Sequence, residues 1–130
     1  MSARVGIVGA GPVGLMLALL LDRYGVAVTL FDADPAGRTH PRGSTLSART
    51  MEILRALGLA GRMRRLGLPA DHPTDVRYLT RLDGYELARL ALPSELDKQR
   101  AVAAGGELAQ EPEPVLRANQ MHLERLLAEQ

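Results

Sequence analysis

Gly9-Ala10-Gly11-Pro12-Val13-Gly14 and, eighteen residues beyond Gly14, Asp32 are the residues whose types and spacing could do chemistry on a ligand. In a G-x-G-x-x-G sextet each glycine has its own task. Gly9 permits a tight turn, Gly11 lets a pyrophosphate approach the backbone, and Gly14 lets the following helix pack closely on the preceding strand. A helix opening on Pro12 and Val13 offers unpaired N–H groups and a partial positive charge to phosphates. Asp32 is placed to accept hydrogen bonds from a pair of ribose hydroxyls. Asp34 is the alternative acid, but the Asp34-Pro35 step reads as the start of a turn, which favours Asp32. Glycines that serve packing alone would explain the sextet without any ligand. The elements around it argue against that.

Those elements are three. Arg4-Val5-Gly6-Ile7-Val8 reads as a strand buried on both faces. The apolar stretch Pro12 to Tyr24 reads as a helix closed by Gly25, and Val26 to Phe31 as a second buried strand with Asp32 at its end. Strand, glycine turn, helix, strand and terminal acid together form the full context of a dinucleotide fingerprint. Residues 35–45, with Pro35, Gly37, Pro41 and Gly43, read as loop. Ser47 caps a predicted helix whose Met51, Ile53, Leu54 and Leu57 share one face, Gly58 ends it, and a short helix follows from Ala60 to Leu66. Arg62, Arg64 and Arg65 on that short helix read as a solvated face.

Composition removes several classes of function. The chain has 130 residues, 46% hydrophobic and 24% charged, the balance of one soluble globular domain. A net charge of +1 and four aromatic residues supply neither the basic field nor the stacking platform of a nucleic-acid binder. With no cysteine there is no thiolate chemistry, disulfide or sulfur-ligated metal site, and His40, His72 and His122 suit no metal motif by their spacing. The apolar run Leu15–Leu21 is far short of the roughly 20 residues that span a bilayer, and it is followed by Asp22-Arg23 with no cleavage site. A cytoplasmic chain with no membrane partner is expected.

A second segment points to a family. Pro41-Arg42-Gly43, followed by Arg49-Thr50-Met51-Glu52-Ile53-Leu54-Arg55-Ala56-Leu57-Gly58-Leu59, together with the glycine fingerprint, resembles the single-component FAD-dependent aromatic hydroxylases of the para-hydroxybenzoate hydroxylase fold, including their polyketide-tailoring branch. The helix pattern is complete, and Gly43 stands where the family usually has alanine. The resemblance favours FAD over NAD as the bound dinucleotide. It implies that Arg42 lies beside the FAD pyrophosphate and the mobile flavin, a position where a guanidinium meets phosphate with two parallel hydrogen bonds, and that Arg49 shapes the same cleft. The family usually carries glutamate and then a basic residue at the end of the second strand. Here the pair is Asp32-Ala33, so the resemblance implies a retained ribose contact, a missing adenine-side contact and lower FAD affinity.

Farther on, Val76–Arg81 and Tyr85–Leu90 alternate around Leu82-Asp83-Gly84, a strong hairpin signal; by resemblance this hairpin begins the sheet that carries the substrate. Residues 93–114 read as loop or lid material on their prolines and glycines. Asn119 caps a predicted helix with an apolar side of Met121, Leu123, Leu126 and Leu127. The Arg117-x-x-Gln120 step, with Glu124 four residues on, is similar to the family's arginine and glutamine contacts to FAD.

The expected fold class is therefore α/β: a Rossmann-like FAD-binding βαβ start with a β-hairpin, incomplete relative to the family fold. Residues 1–130 are expected to be the N-terminal part of an FAD-binding domain and a fragment of a longer monooxygenase, because the family's downstream Gly-Asp motif and substrate domain have no counterpart here. The resemblance implies FAD as cofactor, NADPH or NADH as transient electron donor, O2 and an aromatic or polyketide substrate, and the remainder of a longer or split chain as partner. The expected cofactor contacts are Gly9, Gly11, Pro12, Val13, Gly14, Asp32, Arg42, Arg117 and Gln120, with no catalytic side chain assigned. The rival readings are a non-catalytic nucleotide-binding module or remnant, and a fragment of an NAD-dependent dehydrogenase.

Overall fold

The computed structural model describes residues 4–34, 40, 42–105 and 113–130. β1 (Arg4–Val8), α1 (Pro12–Arg23) and β2 (Ala27–Phe31) form a βαβ unit in which the strands run parallel and pair Arg4 with Ala27 through Val8 with Phe31. α1 stops where its sequence says it must. Tyr24 is the C-cap, Gly25 takes φ +70°, and the N–H groups of Gly25 and Val26 donate to the carbonyls of Asp22 and Leu21. This is a Schellman closure, for which glycine at the left-handed position is the favoured residue.

The strands are not buried on both faces as expected. Ile7 is the only residue of either strand that is buried, while Val8 is 90% and Phe31 56% exposed. Among the described residues the sheet has two strands and one covering helix, so one of its faces has no layer against it.

The core instead lies among helices. α2 (Ala48–Ala56), α3 (Ala60–Arg65) and α5 (Gln120–Ala128) bring Met51, Leu54, Met63, Leu123, Leu126 and Leu127 together, with Leu15, Met16 and Leu19 of α1 packed against them. Each such side chain contributes about 1.5–3 kcal/mol on full burial. Ser47 caps α2 by accepting the Thr50 N–H at 3.2 Å, and Gly58 at φ +75° closes it by the same device as Gly25. Through the core runs a short antiparallel ladder: β3 (Thr45–Leu46) pairs with β6 (Leu116–Arg117). Residue 45 was expected to be loop. A two-residue strand has no periodicity to announce it, and its partner lies some seventy residues away.

The hairpin forms from β4 (Val76–Leu79) and β5 (Glu86–Leu90), with a bulge at Tyr78/Leu79. Its turn falls at the expected Leu82-Asp83-Gly84. Gly84 N–H donates to the Arg81 carbonyl and Thr80 N–H to the Tyr85 carbonyl, so Leu82 and Asp83 are the central pair and Gly84 closes the turn. Hydrogen bonds from Arg89 and Arg77 hold the Glu86 carboxyl down to about 2, and they tie together strands whose side chains are otherwise mostly exposed.

Residues 93–114 are not simply loop: Glu95–Ala103 form α4. Ser94 Oγ accepts the Asp97 N–H at 3.2 Å, and the Asp97 carboxylate accepts the Ser94 N–H at 3.1 Å. The Ser94 hydroxyl, donating to the same carboxylate at 2.6 Å, and then the Ser94 N–H hold the Asp97 carboxyl below its ordinary range. Ser94-x-x-Asp97 is a helix-start signal that a reading from prolines and glycines alone passes over. Residues 106–112 of the expected lid lie outside the described residues. No helix among those described is long and apolar enough to cross a membrane.

Candidate functional site

The glycine turn is built by three constraints. The Gly9 N–H extends the β1–β2 ladder by donating to the Phe31 carbonyl at 2.7 Å, and Gly9 itself adopts φ +107°. Gly11 follows in extended backbone (φ −75°, ψ −177°) as the N-cap of α1. A Cβ on Gly14 would overlap the carbonyl oxygen of Gly9 and lie 3.3 Å from Ile7 Cγ2. Gly9 and Gly14 are thus required by the fold itself, whereas the backbone at Gly11 admits any residue.

α1 opens with Pro12 at its first position and has no side-chain cap. By contrast, Ser47, Ser94 and Asn119 cap α2, α4 and α5. Among the described residues no side chain caps the Val13 and Gly14 end of α1, whose backbone N–H groups are the kind of donor set that a diphosphate takes. Asp32 follows β2 directly. Its carboxylate accepts the N–H of Ala10 inside the glycine turn and, at 2.8 Å, the N–H of Asp34. The structure places Asp32 at the strand end against the turn, and Asp34 two residues beyond as part of an Asx-type turn on Asp32. Ala33, exposed, offers no cation to an adenine.

The second half of the site is held by the ladder between β3 and β6 and its continuations. Ala118 N–H donates to Ser44 O at 3.1 Å, and Gln120 N–H to Gly43 O at 2.9 Å. These bonds bring the segment carrying Arg42, which is exposed, alongside the segment carrying Arg117 and Gln120. The Gln120 amide donates to Glu124 at 2.8 Å, and Asn119 caps the helix by accepting the Met121 N–H at 3.1 Å. A Cβ at position 43 would stand 3.1 Å from Gln120 Oε1. Glycine at 43, where the resemblance has alanine, thus lets the two segments close without moving that amide.

Between these halves lies a cleft of about 430 Å³, lined by Pro12, Val13, Met16, Gly43, Thr50 and Gln120 among others. The first turn of α1 and Gln120 therefore face one space. Arg117 does not line it. Its guanidinium donates to Thr45 Oγ1 at 2.7 Å and borders the neighbouring cavities on the other side of the ladder. Arg49, 80% exposed, pairs with Glu52 at 2.9 Å on the surface of α2. Gly43 and Thr45 were not singled out from the sequence as site residues. They act through partners more than seventy residues away, and only Gly43's departure from the alanine pattern hinted at it.

The donor set at the α1 N-terminus fits a nucleotide diphosphate, and the cleft beside it is mostly apolar, with Leu17, Leu20, Leu46, Ile53 and Leu123 also in its wall. The comparisons with known proteins agree. A family model described as FAD binding domain matches residues 2–130. An FAD-dependent monooxygenase of Emericella nidulans is 30% identical over 124 residues, 95% of this chain and 20% of that protein. The solved structure of the rebeccamycin biosynthetic enzyme RebC with reduced flavin superposes with a TM-score of 0.84 at 37% identity, over 99% of this chain and 24% of that one. The flavin-dependent monooxygenase PieE, solved in complex with FAD and substrate, gives a TM-score of 0.79 at 32% identity, over 99% of this chain and 22% of that one. The chain thus spans about a fifth to a quarter of the length of these relatives. Because the family match takes in the glycine turn, Asp32 and the Arg117–Gln120 segment together, the chain belongs to the FAD-binding domain family.

Proposed function

We propose that these 130 residues form the N-terminal, adenosine-side part of the FAD site of an NAD(P)H-dependent flavoprotein monooxygenase that hydroxylates an aromatic or polyketide substrate with O2. The observation that carries the reading is the cleft shared by the first turn of α1 and Gln120. FAD, when bound, supplies the redox chemistry of hydride acceptance and oxygen activation. The chain's own residues bind and orient it. The turn at Gly9, Gly11 and Gly14 and the α1 N-terminus at Pro12 and Val13 take the pyrophosphate; Asp32 takes the ribose hydroxyls; Gln120 and Arg42 border the flavin-ward part. Arg117 acts from across the ladder, through Thr45, on the strand that lines the cleft. A cytoplasmic setting, where NAD(P)H is supplied, belongs to the same reading.

The test is a titration with ADP of the parent, Asp32→Ala and Asp34→Ala chains. Asp32→Ala is expected to weaken binding at least about tenfold, because charge-assisted hydrogen bonds are worth roughly 1.5–3 kcal/mol. It also leaves the Ala10 N–H without its acceptor. Asp34→Ala is expected to change affinity little. The reverse pattern would show that the ribose acid has been misplaced, and absence of ADP binding by the parent would overturn the cofactor reading.

Activity is a separate matter. The Gly-Asp motif that the resemblance assigns to the ribityl chain is not found in residues 1–130, so the flavin ring would stay open to water. The purified chain with FAD, NADPH and a panel of phenols under air is therefore expected to give no hydroxylation beyond that of free FAD. Coupled hydroxylation above that background would show that these residues suffice for a complete enzyme.

A further inference from the structure

The three arginines of α3, expected to form one solvated face, part ways. Arg62 pairs with Glu129 at 2.8 Å, and Arg65 is exposed. Arg64 turns inward, its side chain 19% exposed. Its guanidinium bonds Glu95 of α4, Glu113 at 2.6 Å and the Pro114 carbonyl at 3.2 Å. Arg55 approaches the other oxygen of Glu113 at 3.6 Å, and Gln99 donates to Glu95 at 2.8 Å. Two arginines and two carboxylates thus balance in charge, and among the described residues no buried side-chain polar atom lacks a partner. Taking one partner from such a cluster leaves an uncompensated charge in a half-buried place.

Glu113 and Pro114 stand just before β6, separated from it by Val115. That strand has two residues, too few for its ladder to fix its own course. Its placement rests on Leu116, buried in the core, and on a handful of backbone bonds: Leu68 N–H to Arg117 O at 2.8 Å, Ala118 N–H to Ser44 O and Gln120 N–H to Gly43 O. We propose that Arg64 is a positioning residue for the cofactor site: by gripping Glu113 and Pro114 it sets the course of β6, and so the place where Arg117 and Gln120 meet residues 43–45. The two arms of the guanidinium then do different work. The Glu113 arm aligns the site, whereas the Glu95 arm only docks α4. The functional meaning rests on the cofactor reading above; the test does not.

Amide hydrogen exchange of the 130-residue chain separates the arms. In Glu113→Gln the amides of Leu68, Ala118 and Gln120 are expected to exchange about tenfold faster, measured against amides in the middle of α1. In Glu95→Gln those three are expected to keep their ratio to α1 while the Leu96 amide, bonded to the Ala70 carbonyl, exchanges faster. Arg64→Lys keeps the charge but cannot reach Glu95, Glu113 and Pro114 together. It is expected to accelerate the same three amides, and it stands in if Glu113→Gln does not fold. A merely structural role would loosen α1 and the ladder alike. Equal acceleration of the three amides in Glu95→Gln and Glu113→Gln, or none in Glu113→Gln and Arg64→Lys, would overturn the proposal. Failure of ADP to bind the parent would overturn the cofactor reading and leave the exchange result standing.

Discussion

Gly14→Ala is expected to lower the thermal midpoint of this chain by about 10 °C, the equivalent of about 3 kcal/mol for a domain of this size. The added methyl has nowhere to go. It would overlap the Gly9 carbonyl oxygen, and Gly9 is itself pinned by its bond to Phe31 and its φ of +107°. Relief requires α1 to lift from β1, and α1 carries Leu15, Met16 and Leu19 onto the core. Overpacking against backbone is costlier than against a flexible side chain, because no rotamer change relieves it. Thermal unfolding followed by circular dichroism measures the effect. A midpoint within about 2 °C of the parent would mean that helix and strand can separate at little cost.

Gly11→Val is expected to give the opposite pairing of effects: a midpoint close to the parent's and no measurable binding of ADP. At φ −75° and ψ −177° the backbone of residue 11 suits a β-branched side chain. The reason for glycine there is therefore sought in the ligand, whose pyrophosphate must approach the main chain closely. Calorimetric titration beside a melting curve reads both quantities on one preparation. Unaltered ADP affinity would remove Gly11 from the site. A collapse of stability would assign it the structural role now given to Gly14.

Two glycines three residues apart thus serve different purposes, which the sextet alone does not distinguish. What was legible in the sequence was local. Gly25 and Gly58 mark helix ends, Ser47 and Asn119 mark helix starts, and Asp32 marks the end of a strand, each through bonds to residues within a few positions. What was illegible depended on distant partners. The β3–β6 ladder joins segments about seventy residues apart with only two residues on each side. Arg64 differs from Arg62 and Arg65 in no property of its own. Its place does differ, four residues after the buried Ala60 on the same face of α3, and Glu95 and Glu113, distant in sequence, supply the partners for its charge there. The burial expected of β1 and β2 failed for a related reason. Their apolar residues describe a sheet flanked on both sides, and the described residues supply one flank.

The division of the core between Met51, Leu54 and Met63 on one side and Leu116, Leu123, Leu126 and Leu127 on the other has a consequence during synthesis. The βαβ unit, made of neighbouring segments, can assemble while translation is still under way. The apolar faces of α1 and α2 cannot be covered until α5 leaves the ribosome, and α5 closes a loop of roughly a hundred residues back to α1. Throughout that interval the nascent chain carries an unsealed hydrophobic base, the kind of surface that chaperones hold and that aggregation exploits.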